Sequence, residues 1–547
     1  MLSNLKAALA LVCLLVFTVD ALRASSMEDL MKRRRMLYRK RDLPRVPMRR
    51  EVPVQWTTLP IDHWGNYQGT FQNRYWYNAT YYQSGGPVFL FDVGESNAEP
   101  FGGQLELDGD DIHLSVMRLA KRYNGVAIVW EHRYYGESLP FPVNENTTKE
   151  QWQFHTVEQA LEDVVYFAQR FSFPHPDQRT ASYRPHPSST PWIFIGGSYP
   201  GIRAAYLRIR NPETIYASWS SSAPVEAQID MSSYWQAAER ALPRNCSNDW
   251  IAVTKYFDKV FTDGSDQEVH DLRVRIVTAE FTGPGGNTTM LEELGYLREV
   301  DNFNVSKLAY YLMDPLGNFQ NNGIPPVLTF CDVMETRNGT GPAYSKGLAT
   351  RFNVTVALDA FLIGISETDP NTFAIASPPV TDDADTLAWH YQYCTEFGFF
   401  QGANPHNNRS IQSQFLTQAD IEQDCLGSFP AGAVPPEPRV KVLNDAYGGW
   451  YMNPTHVFFT NGQIDPWRTL SIASFEENAP KRVGITAIPT CYTAPNESFY
   501  FGIVYRGETH VKDLYSPLTE PVEPFYTSLA LFQMALDEWL PCFSSKN

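Results

Sequence analysis

Short apolar runs and segments of helical spacing alternate through the first half of this chain. Val88-Phe89-Leu90-Phe91-Asp92-Val93, residues 125–130 and Trp192-Ile193-Phe194-Ile195 are nearly uninterrupted apolar stretches, the pattern of strands covered on both faces. Between the first two, residues 111–123 place Ile112, Val116, Leu119 and Tyr123 on one helical face. Thr156-Val157-Glu158-Gln159 reads as a capping box, and Val157, Ala160, Leu161, Val164, Val165 and Ala168 carry an apolar stripe on to Phe171. A helix is expected after Ser198 to about Arg210, where Asn211-Pro212 stops it, and a strand at 215–220. This alternation predicts an α/β class: a mostly parallel sheet with helices on both faces. Residues 56–82, rich in aromatics and threonine, predict short strands at an antiparallel edge.

From about 224 to 440 the rhythm stops. Helix-like runs at 233–241, 291–299 and 358–363 alternate with polar loops, which predicts a largely helical insertion above the carboxyl edge of the sheet. The rhythm returns with an apolar strand at 455–461. It closes with a packing helix at 524–540, carrying Leu529, Leu531, Phe532, Met534, Ala535 and Trp539. The expected organisation is a core in two parts, 51–223 and 441–547, around a cap at 224–440.

The ends and the charge add a cellular route. Lys6, an apolar run over 7–17 and small residues at Ala21 and Ala24 have the layout of a signal peptide, assigned to 1–24. That run is too short to span a bilayer, and no later stretch approaches ~20 apolar residues, so no stable membrane insertion is expected. Residues 32–50 hold ten Lys or Arg against one acid, Asp42, and 25–50 reads as a basic pro-like segment ending at Lys40-Arg41 or Arg49-Arg50. The first 50 residues are net +8, so of the total of −17 the remainder carries −25. Such a body repels nucleic acid, excludes it as a partner, and sheds self-repulsion as carboxylates protonate, which points to an acidic compartment. With 14% aromatic and 19% charged residues the chain is expected to fold into a globular body.

Cys13 lies in the signal segment, leaving Cys246, Cys331, Cys394, Cys425, Cys491 and Cys542 as disulfide candidates with the pairing open. Glycosylation sequons stand at Asn78, Asn146, Asn245, Asn287, Asn304, Asn338, Asn353, Asn408 and Asn496. The expected destination is secretion, or a vacuole or lysosome reached through the secretory pathway.

The candidate chemistry centres on Gly196-Gly197-Ser198-Tyr199-Pro200-Gly201, which follows a strand and opens a helix. This is the layout of a nucleophile elbow, in which a strained turn lifts a serine hydroxyl clear of the sheet. The usual second glycine falls at Pro200, with Gly201 one place later. A serine needs an imidazole base, and the base needs a carboxylate to fix its tautomer. In the chain order serine, acid, histidine, Asp465 lies just past the 457–461 strand, and His510 is the one histidine of eleven beyond it. The oxyanion would be held by the backbone N–H of Tyr199 and one near Gly94 or Glu95. Gly94-Glu95-Ser96 follows a strand but lacks the Gly-Lys-Ser/Thr ending of a phosphate loop. His155 and Glu158 resemble half a zinc motif without its second histidine and are read as solvent-facing cap residues. No metal and no cofactor are expected.

Glu131-His132-Arg133-Tyr134-Tyr135-Gly136-Glu137-Ser138-Leu139-Pro140, Gly196-Gly197-Ser198-Tyr199, Ser222-Ala223-Pro224 and Asn461-Gly462-Gln463-Ile464-Asp465-Pro466-Trp467 together resemble the serine peptidases that include lysosomal Pro-X carboxypeptidase, dipeptidyl peptidase II and fungal acid prolyl endopeptidase. The resemblance runs from about Trp56 to Trp539. It implies an α/β-hydrolase core with a helical cap, a Ser198, Asp465 and His510 triad, an acyl-enzyme, and cleavage after proline at acid pH. It also implies that Trp467 helps wall the proline pocket, an aromatic face suiting a pyrrolidine ring. Pro200 and Val511 depart from residues common in that family. Peptide substrates, proline-containing ones foremost, are the expected partners; exopeptidase is favoured over endopeptidase, and a homodimer stays open. The alternatives are a carboxylesterase or lipase with the same triad, or a non-catalytic binding protein on the same fold.

Overall fold

The computed structural model describes residues 52–106, 113–175, 178–282, 289, 292, 297–298, 300–317, 319–367, 383–516 and 522–544. The expected signal peptide, the basic segment, Asn287 and most of the helix expected at 291–299 lie outside them. The described residues divide into two compact units.

The larger unit holds residues 52–241, 383–402 and 417–544. Its sheet has nine strands: β1 Gln55–Pro60, β2 Thr70–Asn78, β3 Val88–Asp92, β4 Val126–Trp130, β5 Trp192–Gly197, β6 Ala217–Ser221, β7 Val457–Gly462, β8 Val483–Ile485 and β9 Phe499–Tyr505. They lie side by side in the order β1-β2-β4-β3-β5-β6-β7-β9-β8. β1 pairs antiparallel with β2, and β2 with β4, while every later pairing is parallel. The apolar runs explain this placement. Val88 and Leu90, Val126 and Ile128, Trp192 and Phe194 pack into one core, whereas Phe89 and Phe91, Ala127 and Val129, Ile193 and Ile195 pack into a second. A two-residue period puts alternate side chains on opposite faces, so strands apolar at every position need helices on both sides.

Helices α2 (Val157–Ala168) and α3 (Tyr199–Arg210) contribute to the first core. Helices α1 (Ser115–Arg122) and α4 (Glu523–Trp539) contribute to the second. Thr156 caps α2 by accepting the Gln159 N–H, but the reciprocal half of the expected box is missing. The Gln159 side chain turns instead to Asp62 and the His63 N–H. His155 is buried and not solvent-facing: its Nε2–H donates to Ala388 O at 3.1 Å, and its ring stacks on Tyr134. Glu158 is taken by Arg439 at 2.7 Å.

Residues 224–241, 383–402 and 417–440, expected in the cap, belong with the sheet. Gln228–Asp230 forms a parallel pair with Gly398–Phe400. Phe429 meets Trp152 edge-on at 5.6 Å, and Cys394–Cys425 joins two of the returned segments. Their aromatic and disulfide partners carry them to the sheet, which the polarity of the surrounding loops conceals in sequence. Cys491–Cys542 closes the carboxyl-terminal part.

The smaller unit holds residues 242–367 and 403–416 and is helical. Helices Arg244–Asp263, Pro325–Thr336 and Val354–Glu367 meet through Trp250, Phe330 and Phe361, whose ring centroids lie 5.1 to 5.2 Å apart. Cys246–Cys331 ties the first two helices.

Candidate active site

Ser198 sits between the end of β5 and the start of α3 with φ 63 and ψ −129, a conformation unfavourable for a residue with a side chain. Three glycines make that turn fit. A Cβ on Gly196 would stand 2.4 Å from Pro200 O, one on Gly197 2.5 Å from Val511 Cγ1, and one on Gly201 2.7 Å from Ser221 O. The close approach to the neighbouring strand therefore falls at Gly201. Pro200 lies in the first turn of α3, where a missing N–H costs nothing because no intrahelical acceptor exists for it. The departure at Pro200 is thus compatible with an elbow. The Ser198 N–H donates to Ser221 O at 2.9 Å, and the side chain is only half-buried.

Asp465, fully buried at the end of β7, uses both carboxylate oxygens. Oδ1 accepts the Trp467 N–H at 2.9 Å, and Oδ2 accepts from His510 Nδ1 at 2.8 Å. Because a carboxylate there only accepts, the proton of a neutral imidazole sits on Nδ1 and the lone pair on Nε2. That Nε2 is buried and has no hydrogen-bond partner among the described residues. The two loops are zipped together by Ile464 N–H to Glu508 O, Gln463 N–H to Tyr505 O, and Gly507 N–H to Gln463 Oε1, all between 2.8 and 3.0 Å. The next residue, Val511, packs against Gly197 and donates its N–H to Ser222 Oγ at 3.0 Å. The His510 loop is therefore seated directly on the elbow.

The loop after β3 reaches the same place from the other side. Gly94 (φ 71) faces Pro200 so closely that a Cβ would lie 2.2 Å from its Cγ. The Gly94 N–H is already donated to Asp92 Oδ1 at 3.1 Å, and Asp92 pairs with Arg203 of α3 at 2.6 Å. The Tyr199 N–H is the first of α3 and by helix geometry lacks an intrahelical acceptor.

The Glu131 to Ser138 stretch holds these loops. Glu131, fully buried, accepts from Arg74 (2.7 and 2.8 Å), Ser138 Oγ (2.7 Å), the Ala98 N–H (3.0 Å) and the Glu137 N–H (3.1 Å). Asp385 clamps the Asn97 and Gly136 N–H groups at 2.8 Å each. His132 donates Nδ1–H to Arg133 O at 2.6 Å, so its Nε2 accepts the Tyr199 hydroxyl at 2.8 Å. Burial, then the nearby Arg203 charge, push His132 well below the ordinary histidine range, which keeps it neutral.

Trp467 stands beside this centre, its ring centroid 6.2 Å from that of His510. Tyr234 and Phe399 meet it edge-on at 5.5 and 5.3 Å, and Phe397 stacks on Phe399 while contacting Tyr199. Phe399 has φ 62, a strained setting for an aromatic residue. Sequence reading singled out Trp467 alone among these rings. The run Phe397-Gly398-Phe399-Phe400 was the available signal, with a glycine amid aromatics marking a bend.

Asn146, Asn304, Asn338, Asn353, Asn408 and Asn496 are exposed, whereas Asn78 and Asn245 are half-buried and the Asn78 amide donates to Leu105 O at 2.6 Å. His390 lies close to Cys394 and Cys425, but both sulfurs are spent on a disulfide, so this trio is no metal site.

Comparison with known proteins agrees with this picture. Residues 60–488 match the family model described as serine carboxypeptidase S28. The chain is 26% identical over 450 residues to serine protease vicPb of Bipolaris victoriae (strain FI3), covering 77% of this chain and 79% of that one. It is 28% identical over 449 residues to thymus-specific serine protease of Homo sapiens, covering 78% and 80%. It is 26% identical over 467 residues to a probable extracellular serine carboxypeptidase of Arthroderma benhamiae (strain ATCC MYA-4681 / CBS 112371), covering 77% and 59%. With an α/β-hydrolase sheet beneath and the family match running through more than half its length, this chain belongs to the serine carboxypeptidase S28 family of serine-type peptidases.

Proposed function

We propose that Ser198 is the nucleophile, His510 the general base and acid, and Asp465 the carboxylate that orients it, in a peptidase that cleaves after proline at acid pH. The observation that carries this reading is the 2.8 Å bond from His510 Nδ1 to Asp465 Oδ2, which leaves Nε2 unpaired among the described residues in a loop packed on the Ser198 elbow. Ser198 Oγ attacks the acyl carbon while its proton passes to Nε2; the same proton then goes to the leaving amine, and water repeats the sequence on the acyl-enzyme. The Tyr199 N–H serves as one oxyanion donor and a backbone N–H of the loop after β3, at Gly94 or Glu95, as the second; the first of these lies on Asp92 Oδ1 and the other on the Glu95 carboxyl, and the one that serves turns to the oxyanion.

The rings of Trp467, Tyr234 and Phe399 beside His510 support a compact apolar P1 residue such as proline. The family's description and the name of the Arthroderma relative support exopeptidase action at a carboxyl end over endopeptidase action. Three disulfides and six exposed sequon asparagines support passage through the secretory pathway to the outside or to a vacuole or lysosome, with glycans attached. Digestion of a proline-containing peptide library at about pH 5, read by mass spectrometry, tests the reading. Cuts after proline that vanish in Ser198→Ala are expected; ester hydrolysis without peptide cleavage would assign a carboxylesterase instead.

A further inference from the structure

Ser221, the last residue of β6, lies in register with Gly197 of β5 on one side and with Thr460 of β7 on the other. Its backbone oxygen accepts the Ser198 N–H at 2.9 Å, so this strand end holds the backbone of the serine. Its hydroxyl takes a different partner, donating to Oδ1 of Asp513 at 2.5 Å. Asp513 follows His510 by three residues and is 2% exposed. One residue of the sheet is thus bonded both to the elbow and to the loop that carries the imidazole.

The second oxygen of Asp513 meets the carboxyl-terminal helix. Ser528 Oγ of α4 donates to Oδ2 at 3.0 Å, and because a hydroxyl carries one proton, Ser528 accepts in turn from the Tyr505 hydroxyl at 2.5 Å. Tyr505 ends β9, where the loop to His510 begins. That loop is therefore held at its start and again three residues past the imidazole. Burial pushes Asp513 above the ordinary carboxyl range, while hydrogen bonds from Ser221, Thr460, Ser528 and Trp219 oppose it. Leaving such donors and a buried carboxyl unpaired is costly, so together they select one position of the loop. Neither imidazole nitrogen is bonded to Asp513: Nδ1 is on Asp465, and Nε2 has no partner among the described residues.

We propose that Asp513 is a positioning residue for acyl transfer, on the reading of Ser198 and His510 given above: by holding the Ser221 and Ser528 hydroxyls, its carboxyl fixes where His510 Nε2 stands relative to the serine hydroxyl. In that step the proton passes from Ser198 Oγ to Nε2 as Oγ bonds to the acyl carbon and the carbonyl electron pair becomes the oxyanion. Asp513 gives up and receives no proton. Val511 seats the loop against Gly197 and Ser222, and Asp513 adds the ties to β6 and α4. Proton transfer is sensitive to this placement, a shift of about 1 Å costing on the order of 100-fold. The hydrogen bonds of Asp513 go to Ser221 and Ser528 and not to the rings beside His510, so the loss falls on kcat and not on KM.

Steady-state kinetics of Asp513→Asn, Ser221→Ala and the double variant on a proline-containing peptide, with thermal melting alongside, test this. Asp513→Asn leaves one carbonyl oxygen for two hydroxyl donors and is expected to lose about 100-fold in kcat per folded molecule, with KM within about twofold of the wild type. Ser221→Ala is expected to lose about tenfold in the same way, and the double variant no more than Asp513→Asn alone, since both changes break one tie. A lowered Tm with wild-type kcat in Asp513→Asn, or losses that multiply in the double variant, would overturn the role. If Asp513→Asn does not fold, Ser221→Ala, which keeps the carboxylate, decides: a kcat loss at constant KM supports the role and a wild-type kcat overturns it. Fluorophosphonate labelling of wild type and Ser198→Ala separates the two failures. Labelling that persists in Ser198→Ala removes the serine reading itself, whereas labelling that depends on Ser198 with wild-type kcat in Asp513→Asn removes only the role of Asp513.

Discussion

Val511 occupies the space in front of Gly197, its Cγ1 standing 2.5 Å from where a Cβ on that glycine would be. Val511 itself holds φ 49, a costly conformation for a residue branched at Cβ, and its N–H is secured by Ser222 Oγ. The strain is borne by the residue that follows the imidazole, and the contact it makes lies one residue before the serine.

Gly197→Ala is therefore expected to push the His510 loop off the elbow. A shift of about 1 Å costs on the order of 100-fold in kcat, while overpacking removes about 1–3 kcal/mol of stability. Steady-state kinetics and a urea midpoint read the two effects separately, and an unchanged kcat would show that the contact does not seat His510.

Asp465→Asn retains an oxygen to cap the Trp467 N–H but turns an amide toward His510. The imidazole is then driven to the tautomer with its proton on Nε2, where it cannot act as base, and kcat falls by about 10⁴ as in other triads. Ser198→Ala removes covalent labelling entirely, with little change in melting temperature because its side chain is only half-buried. Labelling of Asp465→Asn at the wild-type rate would contradict the assigned tautomer.

Glu131→Gln takes from the Arg74 guanidinium its buried carboxylate partner at 2.7 and 2.8 Å and leaves it the exposed carboxylates of Glu137 and Glu99 at 3.3 and 3.8 Å. A loss of about 1–3 kcal/mol is expected. Equilibrium denaturation checks it, and a change under about 0.5 kcal/mol, the range of ordinary surface substitutions, would mean that solvent reaches this centre.

Trp467→Ala opens the aromatic cluster beside His510. Its kcat/KM is expected to fall by about tenfold or more for proline at P1 and by less for alanine, since the smaller residue has less ring surface to lose. Equal losses on both substrates would remove Trp467 from the specificity pocket.

Stability should peak in mild acid. Burial, followed by the Asp249 charge, pushes Glu335 up to about 8, and burial pushes Glu396 up to about 7. The folded chain keeps protons that unfolded glutamates release above 4.5, so stability from these groups is complete below that value and is lost as pH rises toward 8. Burial lowers His155 to about 3 and His456 to about 4, so their contribution is complete above 6.5 and is lost as pH falls. Calorimetry across pH is expected to place the highest Tm between about 4.5 and 6.5. A maximum above pH 8 would contradict this balance.

The sheet and its elbow were legible because their causes are local. Continuous apolar runs at Val88, Gly125 and Trp192 demand cover on both faces, and Gly196-Gly197-Ser198 at a strand end admits few conformations. The cap boundaries were not legible. Residues 383–402 and 417–440 look like polar loops with scattered aromatics, and it is their pairing with Gln228–Asp230, Trp467 and Trp152 that assigns them to the sheet unit. His155 was misread for the same reason, since a histidine beside a cap residue gives no sign that Tyr134 will stack on it.

Chain order alone nominated Ser198, Asp465 and His510, because strand ends and a single late histidine leave few candidates in an alternating α/β chain. Tertiary structure decided what each of them meets: Asp465 on His510, Val511 on Gly197, and Asp92 on the Gly94 N–H. Periodicity reports which side of an element is buried and is written within a few residues. Proton affinities and hydrogen-bond partners depend on groups tens to hundreds of positions away, and these come within reach only when the sheet closes its order.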